Sequence, residues 1–488
     1  MSSGMMILVL ILLPLVGAAG IIAARNKPDV REGVTLFTSS LLAILVLITA
    51  NGFANGDTYT LTIAEPIPGV AIAFEIEALG MLFALVAGLL WAVTSVYAIG
   101  YMRSHNEPNQ TQFYAAFAIA ISCTMGVAFS ANLFTLFLFY ELLTLSTYPL
   151  VTHSGTAAAK RGGRIYLGIL LSTSIGLFLL GILATWLISG SVDFQEGGIL
   201  AGKLDPAWAG LLFALFLFGI GKAAVMPIHR WLPEAMVAPT PVSALLHAVA
   251  VVKAGVFTLL KVTLYIFGSD FILSNDVTGG LIWVAAITIL FASMIAMTKD
   301  NLKARLAYST VSQLSYIALG AMLASQAAIV GASMHIAMHA FAKITLFFAA
   351  GAIYVTAHKT LVSELDGLGR AMPITFAAFL IGTLSIIGLP PLGGMWSKWY
   401  LGLGAVETGQ LLLLAVLMIS SLLNIAYLLP IPIRAFFSKP SSGQHYTEIK
   451  EAPHTILLAM IITSTACVIL FFYPDPFFNL ATQATGGS

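Results

Sequence analysis

The chain has 488 residues, of which 59% are hydrophobic and 9% charged, with a mean hydropathy of +0.96 and a formal net charge of +1. A soluble domain carries about 25% charged residues, and one soluble core could not bury so much apolar surface in a chain of this length. The near-zero charge gives a nucleic-acid partner nothing to hold. Apolar runs of roughly 20 residues recur, each long enough to cross a bilayer, so the expected fold class is an all-α polytopic membrane protein.

The first run lies in "MSSGMMILVLILLPLVGAAGIIAARNKPDVR", with its basic residues after it. A secretory signal has the reverse order, so this is read as a first membrane helix that is retained. The hydropathy predicts fourteen helices, near 5–24, 34–52, 77–101, 113–130, 132–151, 163–189, 208–229, 241–264, 279–298, 302–323, 327–355, 372–403, 408–432 and 453–473. Taking alternate loops from the first, one side carries sixteen basic residues and the other, with both termini, only Lys203. By the positive-inside rule, both termini face outside. The expected location is a bacterial inner (cytoplasmic) membrane.

Two segments carry a lysine beside a helix breaker: "FGIGKAAVMPIH" (218–229) with Lys222, and "GLPPLGGMWSKWY" (388–400) with Lys398. Paired broken helices mark inverted repeats in transporters. Helices 4–8 (113–264) and 9–13 (279–432) then form two five-helix units, each with its broken helix fourth. Helices 1–3 (1–112) precede them, and helix 14 with its tail (453–488) follows. An odd helix number per unit inverts the second unit, which makes Lys222 and Lys398 pseudo-equivalent.

Five lysines fall inside predicted helices: Lys222, Lys253, Lys261, Lys343 and Lys398. A charge at the bilayer centre costs about 2.5–3.5 kcal/mol. Lys261, near the outer end of its helix, is expected to snorkel to the interface. Lys222, Lys253 and Lys343 lie too deep for that and are expected to carry protons. The one buried acid facing them is Glu141, in "FLFYELLTLSTYPLV", expected to pair with Lys222. Two lysines at helix-packing distance repel by about 2 kcal/mol at an effective dielectric constant of 20, so a moving carboxylate can decide whether a lysine keeps its proton.

"HIAMHAFAK" places His335, His339 and Lys343 one helical turn apart on one face. An imidazole accepts a proton at one nitrogen and donates at the other, so this column is expected to act as a relay; His247, in "SALLHAVAVVKAG" (243–255), is a further transport candidate. A metal site has no third ligand here, and Lys343 would repel a cation. His153, His229, His358, His445 and His454 fall in or beside loops and are expected to be solvated. Cys123 and Cys467 lie in apolar runs and form neither a disulfide framework nor a metal site. No cofactor-binding signature is present.

These segments, with "GKAAVMPIHRWLPEAMVAPTPVSALLHAVAVVKAG" (221–255) and "HAFAKITLFFAAG" (339–351), resemble the antiporter-like proton-conducting membrane subunits over about residues 77–430. That family includes subunits of Mrp-type cation/proton antiporters, of respiratory complex I and of membrane-bound hydrogenases. The resemblance implies a hydrated polar axis through Glu141, Lys222, Lys253, His335, His339, Lys343 and Lys398. Lys398 in place of glutamate, and the short C-terminus, are most similar to an Mrp D-type subunit. The implied partners are other membrane subunits, the bilayer, protons and Na+ or K+, with no cofactor. The second reading is a proton-pumping subunit of a redox complex, a quinone oxidoreductase or hydrogenase, with no redox site of its own.

Overall fold

The computed structural model describes residues 3–440, 446 and 449–486, with the side chains of residues 246 and 247 set aside. His445 lies outside the described residues. Among those described, ten helices are long and apolar enough to cross a membrane. They are α1 (Ser3–Ala23), α2 (Pro28–Ala54), α3 (Ala78–Ser104), α4 (Gln110–Ala128), α5 (Leu133–Val151), α6 (Ala157–Ser189), α10 (Leu302–Leu323), α11 (Gln326–Ala357), α13 (Leu411–Phe437) and α14 (His454–Phe472).

The other predicted segments are shorter or interrupted. The seventh gives α7 (Pro206–Gly219), which stops before Lys222, and the ninth gives α9 (Ile282–Thr298). The eighth gives α8 (240–267), in which π turns at Leu245–Val249 and Val262–Phe267 interrupt the α-helix. The twelfth is two helices, α12a (Pro373–Ile387) and α12b (Gly394–Glu407). A short amphipathic helix, α15 (Asp475–Gln483), follows α14 and was not expected. Also unforeseen is a hairpin between α2 and α3, β1 (Thr60–Ile67) with β2 (Val70–Glu75), pairing Thr60 with Glu75 and Leu61 with Phe74.

Helix starts follow side-chain chemistry. Glu77, Asn132, Thr156, Asp205, Asn301 and Ser325 each accept a hydrogen bond from a backbone N–H in the first turn of α3, α5, α6, α7, α10 and α11, satisfying donors that have no helical partner. Asn132 also donates through Nδ2 to the Ala71 carbonyl at 2.8 Å, tying the hairpin to α5.

The surface is apolar, with Leu187 80% and Phe437 79% exposed. The interior is where the polar side chains collect, the arrangement a lipid solvent favours. At its centre is α11, buried throughout its most apolar stretch and packed by α3, α10, α12a, α12b and α14.

The two breaks have local causes. After α7 the chain makes a single 3-10 turn at Gly221–Ala223, and Ala224 has φ +55°. Gly255 of α8 sits against this turn; a Cβ there would collide with the Lys222 carbonyl carbon and the Ala223 amide nitrogen. Gly388 ends α12a with φ +91°, where a side chain is strained, and a Cβ would lie 2.8 Å from Lys398 Cδ. Glycine there leaves room for the lysine stem.

Candidate functional site

Lys222, Lys253 and Lys343 are each 0% exposed. The break after α7 points Lys222 at α5. Its ammonium donates to the Tyr140 carbonyl at 2.8 Å and to Thr144 Oγ1 at 2.5 Å, and sits 3.2 Å from the Tyr140 ring centroid. Tyr140 OH accepts from the Lys222 amide at 3.1 Å. The carbonyl, the hydroxyl and the ring face stabilise the cation together.

Glu141 is half-buried and faces Lys222 and Ser174. The two residues are neighbours, but no ion pair joins them among the described residues, and neither carboxylate oxygen has a hydrogen-bond partner there. Any coupling between them therefore acts through space and not through a direct hydrogen bond. Lys222 Nζ turns to the adjacent turn of α5, which offers it oxygen ligands without a carboxylate.

The second cluster is built on α11. Lys253 Nζ of α8 lies 2.7 Å from His339 Nδ1. The His335 and His339 rings have centroids 5.6 Å apart. His335 Nδ1 lies 2.8 Å from Ser397 Oγ of α12b, and its ring stacks on Tyr316 of α10 with centroids 5.7 Å apart. Lys398 Nζ is 5.0 Å from the centre of that same tyrosine ring and donates to the Ile387 carbonyl at 3.0 Å and to Ser421 Oγ at 3.1 Å. The Ile387 carbonyl is one of those that the end of α12a leaves without a helical donor. Lys253, His339, His335, Tyr316 and Lys398 therefore follow one another from α8 to α12b.

Lys343, one turn further along the same helix, has its hydrogen bond to α10. It donates to Ser309 Oγ at 2.6 Å; Tyr427 OH lies 2.9 Å from the same oxygen and donates to Asn424 Oδ1. The expected column of His335, His339 and Lys343 is a single row on the helix, but its members answer three different neighbours. His247 lies in the first π turn of α8, and its side chain is outside the described residues.

Three expectations are overturned. Lys261 does not snorkel: it is 1% exposed, lies 3.0 Å from Glu77 Oε1 and has Phe194 beneath it, centroid at 4.3 Å. Glu77, the cap of α3, supplies the counter-charge that sequence position could not reveal. His153 is buried at 8% exposure instead of solvated, because its turn folds under Phe113. His229 is half-buried rather than solvated, with Nδ1 enclosed. His358 and His454 are exposed, as expected.

Sequence reasoning missed Tyr140, Thr144, Ser309, Tyr316, Ser397, Ser421 and Tyr427. The signal was present in "STVSQLSY" (309–316), a hydroxyl-rich stretch within an apolar helix. Among the described residues, no group of three His, Cys, Asp or Glu side chains is placed to hold a metal ion.

What the arrangement can do is move protons. Lysine, imidazole and hydroxyl groups stand within one or two hydrogen-bond lengths of each other, each able to hold or pass a proton.

Residues 130–424 match the family described as NADH:quinone oxidoreductase/Mrp antiporter, transmembrane. Subunit N of NADH-quinone oxidoreductase from Desulforudis audaxviator (strain MP104C) is 30% identical over 483 residues, covering 96% of this chain and 95% of that protein. The fold is similar to a chain in the Mrp complex from Dietzia sp. DQ12-45-1b, with TM-score 0.85 and 22% identity over 98% of this chain and 96% of that one. It is equally similar to a chain in the membrane-bound sulfane sulfur reductase, an archaeal respiratory membrane complex, with TM-score 0.86 and 24% identity over 98% and 97%.

Proposed function

This chain belongs to the NADH:quinone oxidoreductase/Mrp antiporter family of membrane proteins, and from that premise we infer that it is a proton-translocating subunit of a multisubunit membrane complex. The observation that carries this reading is the row from Lys253 through His339, His335 and Tyr316 to Lys398. Three fully buried lysines are too costly to keep as packing; the row gives Lys253 an imidazole partner, while Lys222 and Lys343 are met by hydroxyl groups.

In this reading Glu141 and Lys222 form the first proton-handling site, and Lys253, His339, His335, Lys343 and Lys398 continue it, with His247 on the π turn beside them. Protons cross from the side bearing the basic loops, through the broken helix after α7, and leave near Lys398. The fourteen predicted segments each cross the bilayer once, with both termini outside, in a bacterial inner membrane. Units 113–264 and 279–432 are inverted repeats, supported by the breaks at Gly221–Ala223 and after Gly388.

The complex is an Mrp-type cation/proton antiporter exchanging Na+ or K+ for protons, with this chain as its D-type subunit. The end-to-end match to a quinone oxidoreductase subunit favours a second reading, the proton-pumping arm of a redox complex.

The test is transport by the native complex in sealed vesicles, read with a ΔpH-sensitive dye. Lys343→Ala and Lys253→Ala should each abolish proton movement while the complex stays assembled; normal transport by both ends the proposal. Mass spectrometry of the copurifying subunits separates the two complexes: redox subunits among them would overturn the antiporter assignment. Cysteine labelling fixes the orientation, since Lys160→Cys should resist an impermeant reagent added outside.

A further inference from the structure

Two cavities open on the face that bears the basic loops, and Glu107 borders both. One, of about 1120 Å³, lies among the ends of α1–α4 and is lined by Arg25, Asp29, Arg31, Glu32 and Arg103. The other, of about 440 Å³, is lined by Thr240 at the start of α8, Lys303 at the start of α10, and Ala350 and Tyr354 of α11. Its inner wall is made by the three helices that carry Lys253, Ser309 and Lys343. From Ala350 to Lys343 is seven residues, about 10 Å of helix rise.

Glu107 is held between two histidines. Its Oε1 lies 3.0 Å from His105 Nδ1, and its Oε2 lies 4.0 Å from His153 Nε2. The His153 side chain is only 1% exposed, and its Nε2 has no hydrogen-bond partner among the described residues. His105 is 30% exposed and Glu107 12%, so exposure falls from the outer ring to the inner one. The His105 ring stacks on Tyr101, centroids 6.0 Å apart, and Tyr101 on Tyr97 at 6.1 Å. Tyr97 OH donates to the Phe348 carbonyl of α11 at 3.1 Å.

Other charges facing this group are already engaged. Arg103 binds Glu32 and Asp29, and Arg31 donates to Gln110 Oε1 at 2.7 Å. Lys303 donates to the Ala238 carbonyl at 2.6 Å, and Lys359 lies 3.6 Å from Glu364. Among the described residues, the two histidines are the ionisable side chains within 4.0 Å of Glu107, and its charge also acts on Lys303 at the start of α10.

We propose that His105, Glu107 and His153 form the proton-exchange site through which the buried lysine row communicates with water on the basic-loop face. This deepens, and rests on, the reading of the chain as a proton-translocating subunit. A proton arriving at His105 passes from Nδ1 to Glu107 Oε1; the neutral carboxyl group then turns to present its O–H to His153 Nε2, and each group returns to its starting charge when the proton leaves. A carboxylate in a cleft raises the local concentration of its counter-ion, here the proton, by about tenfold or more. Burial lowers the proton affinity of His153, while Glu107 and the Pro108 carbonyl raise it. Removing the Glu107 charge must therefore lower it further, so the alkaline limb of the pH profile moves toward acid.

The experiment uses the assembled complex in sealed vesicles, with initial proton-transport rates measured against pH on the basic-loop side. Glu107→Gln should lose about tenfold in rate at alkaline pH and much less at acid pH, and Glu107→Asp should recover most of it. His153→Gln should reproduce the loss, and serves as the second reading if Glu107→Gln assembles poorly. A purely structural role for Glu107 would scale the rate equally at every pH; that outcome, or an unchanged profile in both variants, overturns the inference. Lys343→Ala in the same vesicles separates the two ideas. If it is dead while Glu107→Gln behaves as wild type, only the exchange site fails; if it transports normally, the underlying function fails and the site with it.

Discussion

Nζ of Lys253 lies 2.7 Å from Nδ1 of His339, and neither residue is more than 1% exposed. One is on α8 and the other on α11, 86 positions apart in the chain. A cation placed alone at that depth would be strongly unfavourable, so the imidazole nitrogen that receives it is part of what allows the lysine to be there. Lys253→Met and His339→Phe should each lower transport by at least about a hundredfold, the scale of a positioned proton-transfer group. His339→Gln keeps an acceptor but cannot carry a proton; it should assemble better than His339→Phe yet transport no faster. Vesicle rates alongside subunit stoichiometry check both halves.

Lys398 tests whether the row ends in a protonation site. Arginine keeps the charge and can still donate to the Ile387 carbonyl and Ser421, the bonds Lys398 makes now, but it does not release its proton. Lys398→Arg is expected to assemble and to lose most transport. Equal rates for the variant and wild type would show that the exit lies elsewhere.

Lys261 is predicted to matter for stability rather than transport. It is 1% exposed, and the side chain of its partner Glu77 is 21% exposed. Breaking a buried pair by removing one member costs about 3–5 kcal/mol; partial exposure of Glu77 favours the lower figure. Lys261→Ala and Glu77→Ala should each lower the unfolding temperature in detergent, and the double variant should lose less than the two losses added. Lys261→Arg preserves the pair and should transport normally. Strict additivity would mean that the pair contributes nothing.

Gly255 sets how closely α8 approaches the Lys222 turn. A methyl group there would collide with that turn's backbone and lie 2.8 Å from Lys222 Cβ. Overpacking of this kind costs about 1–3 kcal/mol, and here it also displaces a lysine from its ligands. Gly255→Ala should reduce transport nearly as far as Lys222→Ala, though Gly255 carries no proton. Wild-type rates in Gly255→Ala would mean the turn tolerates being moved.

The sequence by itself determined the class of protein, most of the membrane segments and the identity of the buried ionisable groups. Composition and run length are local quantities, and a charge inside an apolar run is costly before any partner is known, so Lys222, Lys253 and Lys343 stood out without a structure. The breaks beside Lys222 and Lys398 were also legible, because glycine and proline act on their own backbone. Pairing was not. Glu141 precedes Lys222 by 81 positions and was read as its partner, yet the ammonium sits on Tyr140 and Thr144, one residue back and three residues on along α5. Lys261 and Glu77, 184 positions apart, form an ion pair; Glu107, which nothing in the sequence singled out, borders two cavities with His105 and His153 beside it. Hydrophobic periodicity says which face of a helix avoids lipid, but not which helix it meets or how far each is rotated. A hydrogen bond needs atoms within about 3 Å, and only the packing of several helices around α11 brings them that close.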